Sequence, residues 1–260
     1  MEIIPGSVGA PNSVIQELAA GRISFAVSNA DLVVLARAKG VPIVAIAAPL
    51  QQSPRCLLVH ESCGFKSLHD IKDIELAISD SRPFAGWLKN QVALEGVSFV
   101  PFGGSVGEFL QKEKFAQQAY VFSEPFTAQQ NGSDPQVLPL SEIGFNPYAS
   151  LLVTTEDMIA NQPDVVKAVA QASVTGWERY LDDSTAVNKS INVANKDMSL
   201  EALAFGAAEL QPLCKVDANT AFCSMTTERW AELIVQIETI EQIPASSVRA
   251  EQCFTNDFLP

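Results

Sequence analysis

The run Ile23-Ser-Phe-Ala-Val27 has β character, and the small polar residues Ser28, Asn29 and Asp31 close it. An apolar helical pattern, Leu32-Val-Val-Leu-Ala36, follows without a spacer. Strand, polar turn and helix in immediate succession point to an α/β architecture. Such proteins hold small ligands outside the carboxyl ends of their strands, where helix N-termini offer free N–H groups and the positive end of the helix dipole. The same residue types cap helices, so Ser28 and Asn29 carry two readings from the outset, helix cap and ligand contact.

The alternation extends in both directions. Residues 2–5 read as a short strand and residues 6–11 as a Gly/Pro-rich loop. Asn12 or Ser13 then caps a helix through Ala20, with Gly21 in its C′ position. Residues 41–48 are almost entirely apolar, as expected of a strand covered on both faces. They end in a polar turn, residues 49–54, and residues 55–60 form a further strand. The first sixty residues therefore read β-α-β-α-β-β, which implies a parallel sheet flanked by helices.

A second series begins after a crossover at residues 61–67. It predicts a strand at 74–78, a turn at 79–83 and a helix at 84–94. A strand at 97–100, a turn at 101–105 and a helix at 106–115 follow, then strands at 119–122 and 136–140. A longer β-type run covers 148–155, after which helical patterns dominate at 161–180, 200–210 and 227–240. In the first of these, Val165, Val169, Ala172, Gly176 and Tyr180 share a face. Trp177 and Trp230 lie in apolar helix faces and read as core packing. Two α/β series, with the chain returning through 148–155, imply two lobes: residues 1–62 with 150–260, and residues 63–149. Two connecting strands would act as a hinge, and a ligand would lie in the cleft.

Composition narrows the functions open to such a chain. Of its 260 residues 47% are apolar and 18% charged, enough for a sizeable core. A net charge of −13 argues against nucleic acid or an anionic membrane surface as partner. The five cysteines form no Cys-x-x-Cys pair and only two histidines are present, so a structural zinc site is not supported. Cys214 and Cys223 flank a short polar loop and read equally as a bridge or as two separate buried thiols. Walker A, Gly-x-Gly-x-x-Gly and Gly-x-Ser-x-Gly patterns are absent, which leaves NTPase, dehydrogenase and hydrolase readings without support.

Residues 15–31 and 38–48, with Gln51-Gln52, together resemble solute-binding proteins of bacterial ABC importers. The branch is the one that includes thiamine-pyrimidine-precursor and aliphatic-sulfonate or taurine binding proteins. Further similarities are Gly64-Phe-Lys-Ser-Leu-His-Asp-Ile71, Tyr120-Val-Phe-Ser-Glu-Pro125 and the helix opening at Pro163. No single motif is specific, and the order and spacing of all of them carry the likeness. It implies a two-lobed type II periplasmic-binding-protein fold with hinge strands and a helical C-terminal tail. It also implies no catalysis, no cofactor and no bound metal. The partner would be an ABC permease in the membrane, the location periplasmic, and the protein a monomer, or a dimer if a partner chain completes the first sheet. The ligand-binding residues it implies are Ser28, Asn29, Asp31 and Gln51; Ser79, Asp80, Ser81, Arg82 and Phe84; Gly104 and Ser105; and Glu124. Asp80 and Ser81 also read as caps and Gly104 as a permissive turn. Glu124 suits an amino-substituted heterocycle, whereas Arg82 suits a sulfonate or carboxylate.

The chain departs from the family at its start, where residues 1–4 align with the family's second strand. A strand-helix unit of about 30–40 residues is expected to be missing, leaving the first sheet gapped or repaired by another segment. Two other functions stay open on this fold: an enzyme of pyrimidine-precursor synthesis and a degenerate ligand-sensing domain. The enzymes of this likeness carry a cysteine-rich cluster that this chain lacks.

Overall fold

The computed structural model describes residues 2–4, 13–215, 220–241 and 243–260. The chain opens with α1 (Ser13–Ala19), β1 (Ala26–Ser28), α2 (Ala30–Ala38) and β2 (Ile43–Ala47). It continues through β3 (Arg55–His60), β4 (Glu75–Ile78), α3 (Pro83–Gln91), β5 (Ser98–Pro101) and α4 (Gly107–Gln111). Then come β6 (Phe115–Tyr120), α5 (Glu124–Gln130), β7 (Pro135–Pro139) and β8 (Leu151–Thr155). The helices α6 (Glu156–Asn161), α7 (Pro163–Asp182), α8 (Thr185–Ala194), α9 (Leu200–Leu213), α10 (Thr227–Glu241) and α11 (Ala250–Cys253) complete it. Residues 2–4 are exposed and join no strand, so the strand expected at 2–5 does not form over them. The loop at 6–11 and Asn12 lie outside the described residues.

The chain divides into two compact units. Unit 1 comprises Met1–Gln51, Pro147–Glu178 and Lys215–Pro260. Its sheet has the order β1-β8-β2, with β8 antiparallel to both neighbours in the registers Ala26↔Val153 and Ile43↔Thr155. This corrects the expected parallel pairing. β1 and β2 do run in one direction, but a strand from far along the chain lies between them, and an apolar run carries no mark of its partner. β2 is buried at every position, as its continuous apolar sequence requires. After α11 the chain adds a parallel bridge to β2, Ala45↔Phe254, and Thr255 N–H donates to the Ala45 carbonyl at 2.9 Å. Trp230 is fully buried, stacked on Phe254 and tilted against Tyr148, which bears out its reading as core. The face of α7 differs from expectation: Val166 and Ala170 pack with Ile46, and Val174 packs with Ala47. Val165 is 44% exposed. Val and Ala fill two adjacent helical stripes there, so periodicity alone could not choose between them.

Unit 2 comprises Gln52–Asn146 and Arg179–Cys214. Its sheet has the order β5-β4-β6-β3-β7. β4 pairs parallel with β5 and β6, whereas β3 pairs antiparallel with β6 and β7. The boundaries therefore depart from the sequence-based division in two places. β3 belongs to this sheet because both of its edges are hydrogen-bonded within it. Residues 179–214 belong here as well, where α9 packs on α5 and the Phe126 and Phe205 rings meet at 5.2 Å. The helix expected to reach residue 115 stops at Gln111, because Phe115 already pairs with Glu75 as the first residue of β6. Its ring fills a core cluster with Phe109, Leu58 and Ala77. The strand expected at 119–122 accordingly lies earlier, and α5 and α8 were not anticipated. Cys214 and Cys223 are separate buried thiols rather than a bridge, and burial pushes the Cys214 thiol up to about 12.

Candidate functional site

The register of unit 2 gathers a set of strand ends. Arg55 at the start of β3 faces Tyr120 at the end of β6, and Cys56 faces both Ala119 and Pro139. β4 runs parallel to β6 and ends at Ile78, so the turn 79–82 emerges at the same end of the sheet. β5 ends there too, immediately before Phe102. A small cavity of about 100 Å³ opens at this end, lined by Arg55, Cys56, Arg82, Phe84, Phe102, Gln118, Ala119, Tyr120, Glu124 and Leu140. It lies where an α/β sheet is expected to receive a ligand, outside the carboxyl ends of parallel strands.

Each polar group in the lining has a local reason for its place. Arg82 stands at the N-cap position of α3, and Pro83 at N1 starts the helix with its fixed φ. Phe84, in the first turn, is almost completely buried and forms a wall. The Arg55 guanidinium lies over the Phe84 ring at 5.1 Å and the Tyr120 ring at 5.5 Å from their centroids. Two aromatic faces thus hold a buried cation in a fixed plane. Glu124 opens α5, and its carboxylate accepts from the Tyr120 N–H at 2.8 Å. Burial raises the Glu124 carboxyl above its ordinary value, and the hydrogen bond from Tyr120 offsets part of that rise. Burial, followed by the Glu124 charge, pushes the Cys56 thiol well up.

Of the residues anticipated from sequence, Arg82, Phe84 and Glu124 line this cavity together. The others in unit 2 do not line it. The Ser79 N–H donates to Gln118 Oε1 at 2.6 Å, Asp80 pairs with Lys89 on the surface, and Ser81 is exposed. Gly104 occupies a left-handed turn with φ 79°, and the Ser105 hydroxyl accepts from the Gly107 N–H at 3.3 Å. Sequence reading missed Arg55, Gln118 and Tyr120. The available signal was a cation and an adjacent pair of glutamines inside otherwise apolar strands, where such residues are rare without a task.

Three of the four candidates in unit 1, Asn29, Asp31 and Gln51, hydrogen-bond within unit 1 itself. Asn29 sits at the N-cap position of α2 but makes no side-chain cap bond. Its Oδ1 instead accepts from the N–H of Ser150, whose φ of 53° is left-handed. Asp31 is fully buried, with Oδ1 accepting from the Leu32 N–H at 3.0 Å. Gln51 Nε2 donates to the Ala48 carbonyl at 2.7 Å and to the Ser224 carbonyl at 3.0 Å. Ser28 closes β1, buried, and its hydroxyl has no hydrogen-bond partner among the described residues. Among the described residues no group of three His, Cys, Asp or Glu side chains is placed to hold a metal, and no helix is long and apolar enough to cross a membrane.

Known proteins share this organisation. The sequence profile of the family described as NMT1/THI5 like matches residues 1–186. The riboflavin-binding protein RibY of Chloroflexus aurantiacus is 21% identical over 274 residues, which span 96% of this chain and 75% of RibY. The periplasmic aliphatic sulphonate binding protein SsuA from Escherichia coli superposes with a TM-score of 0.69 at 16% identity, over 93% of this chain and 78% of SsuA. A cysteine-to-serine mutant of DSZB in complex with biphenyl-2-sulfinic acid gives a TM-score of 0.64 at 15% identity, over 95% of this chain and 87% of DSZB. At these identities the structural likenesses establish the fold, that of the periplasmic binding proteins.

Proposed function

Since the chain belongs to the NMT1/THI5-like family, we propose that it is the ligand-binding component of an ABC-type import system. It would hold one small molecule, in the periplasm, for a permease in the membrane. The observation that carries this reading is the cavity of unit 2, where two arginines, a half-buried carboxyl and three aromatic rings converge at the carboxyl ends of parallel strands. Few convergent polar groups on an aromatic wall are the usual make-up of a small-molecule site. The ligand classes that suit these groups are an alkanesulfonate, which the arginines can bind, and an amino-substituted heterocycle such as a thiamine pyrimidine precursor, which Glu124 can bind.

Catalysis through Cys56 is the alternative that the lining raises. A nucleophilic cysteine works as the thiolate, and positive or polar surroundings lower its pKa. Cys56 is fully buried and lies close enough to Glu124 for that charge to push its thiol further up. The thiol stays protonated at neutral pH, which supports binding over chemistry.

The test is a thermal-shift screen of the whole chain against alkanesulfonates, aminoethanesulfonate, aminopyrimidines and riboflavin. A ligand at a hundredfold excess over its Kd stabilises by about 2.7 kcal/mol, or roughly 5–10 °C for a chain of this size. Absence of a shift with every compound, at concentrations up to about 1,000 times a micromolar Kd, would remove the reading.

A further inference from the structure

The helix α8 of unit 2 is turned inside out. A surface helix of a globular protein points its apolar stripe at the core. In α8 the inward face is polar, and the one buried residue of the helix is Asn188. The Tyr180 hydroxyl donates to Asn188 Oδ1 at 3.1 Å, and Asn188 Nδ2 donates to the Ser184 hydroxyl at 3.2 Å. One turn on, Asn192 Nδ2 donates to the Met198 carbonyl at 2.8 Å. These bonds fix the rotation of the helix about its axis. They leave Ala186, Val187, Ser190, Val193 and Ala194 facing outward, all exposed, with Val193 at 71%. The five share one face because they recur three, four and seven residues apart. The single hydroxyl on that face is already engaged, since Ser190 Oγ donates to the Ala186 carbonyl at 3.1 Å. The face therefore carries no charged side chain and no hydroxyl that needs water.

We propose that this face is a contact between two copies of the chain, with α8 packed antiparallel on α8 of the second copy about a two-fold axis. The contact is separate from the binding function and does not rest on it. Charge selects the occupant. Asp182 and Asp183 precede the helix, whereas Lys189 lies in its middle and Lys196, beside Asp197, follows its end. Turned end for end, each acidic end meets the lysine-bearing half of the other copy. Parallel packing would instead bring four carboxylates together. A surface that complements itself under a half-turn is what an isologous contact requires. The two helix dipoles also oppose each other favourably in that arrangement. An anionic membrane, another partner that accepts an apolar helix face, is disfavoured by the net charge of −13.

Shape agrees with charge. Ala186, Ser190 and Ala194 are small enough to let two helix axes approach, and Val187 and Val193 flank them as ridges that fit a facing groove. A ten-residue helix is about 15 Å long, so the contact is small and the association weak.

Sedimentation equilibrium of the whole chain, from about 1 μM to about 1 mM, measures it. The mass is expected to rise from one chain toward two across that range. Val193→Asp places an unpaired charge in the contact and should weaken association at least about tenfold. Val235→Asp is the control, because Val235 is 61% exposed on α10 in unit 1, and it should leave association unchanged. Lys196→Glu should weaken association by up to about fivefold, and Asp182→Lys in the same chain should restore it. All four side chains are exposed, and circular dichroism checks that each variant folds. A wild-type chain that stays monomeric over the whole range overturns the inference. So does a dimer that Val193→Asp leaves intact, or one that Val235→Asp disrupts equally. A dimer that responds to Val193→Asp but shows no recovery in the double charge reversal overturns the antiparallel packing.

Discussion

In unit 1 the residues that follow β1 and β2 are consumed by the unit's own backbone: Asn29 by Ser150, Asp31 by Leu32, and Gln51 by Ala48 and Ser224. In unit 2 the residues that follow β4 and β6, Arg82 and Glu124, line a cavity together with Arg55. Both sets sit at the carboxyl ends of strands, where sequence patterns place a ligand. The difference follows from topology. In unit 1 the inserted antiparallel β8 is entered through Ser150, whose left-handed backbone costs energy in any residue but glycine. The Asn29 side chain braces that entry by accepting from the Ser150 N–H. At the site end of unit 2 the left-handed position is a glycine, Gly104, which needs no brace, and Glu124 lines the cavity while accepting from the Tyr120 N–H. Position at a strand end is thus a weak sign of ligand contact until local backbone demand is counted.

The sharpest way to break the comparison is to remove a charge from unit 2. Arg82→Ala is expected to cost about 2–5 kcal/mol of affinity for an anionic ligand, roughly 30-fold or more, as when one partner of a buried charge pair is truncated. Titration calorimetry with a ligand found by the thermal-shift screen measures it. Arg82→Lys should recover only part of the loss, because an ammonium cannot reproduce the bidentate fork. Undiminished binding by Arg82→Ala would mean that the lining of unit 2 is as structural as the turns of unit 1.

The converse test lies in unit 1. Asn29→Ala removes the acceptor of the Ser150 N–H and is expected to lower stability by about 1–2 kcal/mol, visible as a fall in Tm of roughly 2–8 °C. Ser150→Gly relieves the left-handed strain but gives the unfolded chain more freedom, so the net change should be within about 1 kcal/mol. The effect of Asn29→Ala should shrink in that background, since a less strained corner needs less bracing. An Asn29→Ala protein with unchanged Tm and weakened ligand binding would show that Asn29 serves a ligand after all.

These outcomes also mark how far the sequence could be read. Arg82, Phe84 and Glu124 entered through the resemblance, which puts each in a turn after a strand, and all three line one cavity. Arg55, Gln118 and Tyr120 were not legible, because they sit inside strands and meet only through the β3–β6 register. Pairing between strands 60 residues apart leaves no trace in local periodicity. The apolar runs of β2, β3 and β8 announced strands but not their neighbours, so β3 was assigned to the wrong sheet and β8 was read as a return connection rather than a central strand. Asp80, Ser81, Gly104 and Ser105 fit the pattern of site turns, yet Asp80 pairs with Lys89, Gly104 and Ser105 shape a turn, and Ser81 is exposed outside the cavity.

The smallest expected effect is a pH dependence that only unit 2 should show through Glu124. Burial holds its carboxyl above the ordinary value, so the folded state binds this proton more tightly than the unfolded chain does. The stability it contributes is fully present below the unfolded pKa, about 4.3, and is lost as pH rises through the raised folded value. Glu124→Gln has no proton to lose. The Tm of the wild type relative to this variant should therefore fall across that window, by fewer degrees than Asn29→Ala costs. A difference that stays flat across the window would mean that the Glu124 carboxyl is as well solvated in the fold as in the unfolded chain, and that the cavity of unit 2 does not desolvate the charged groups lining it.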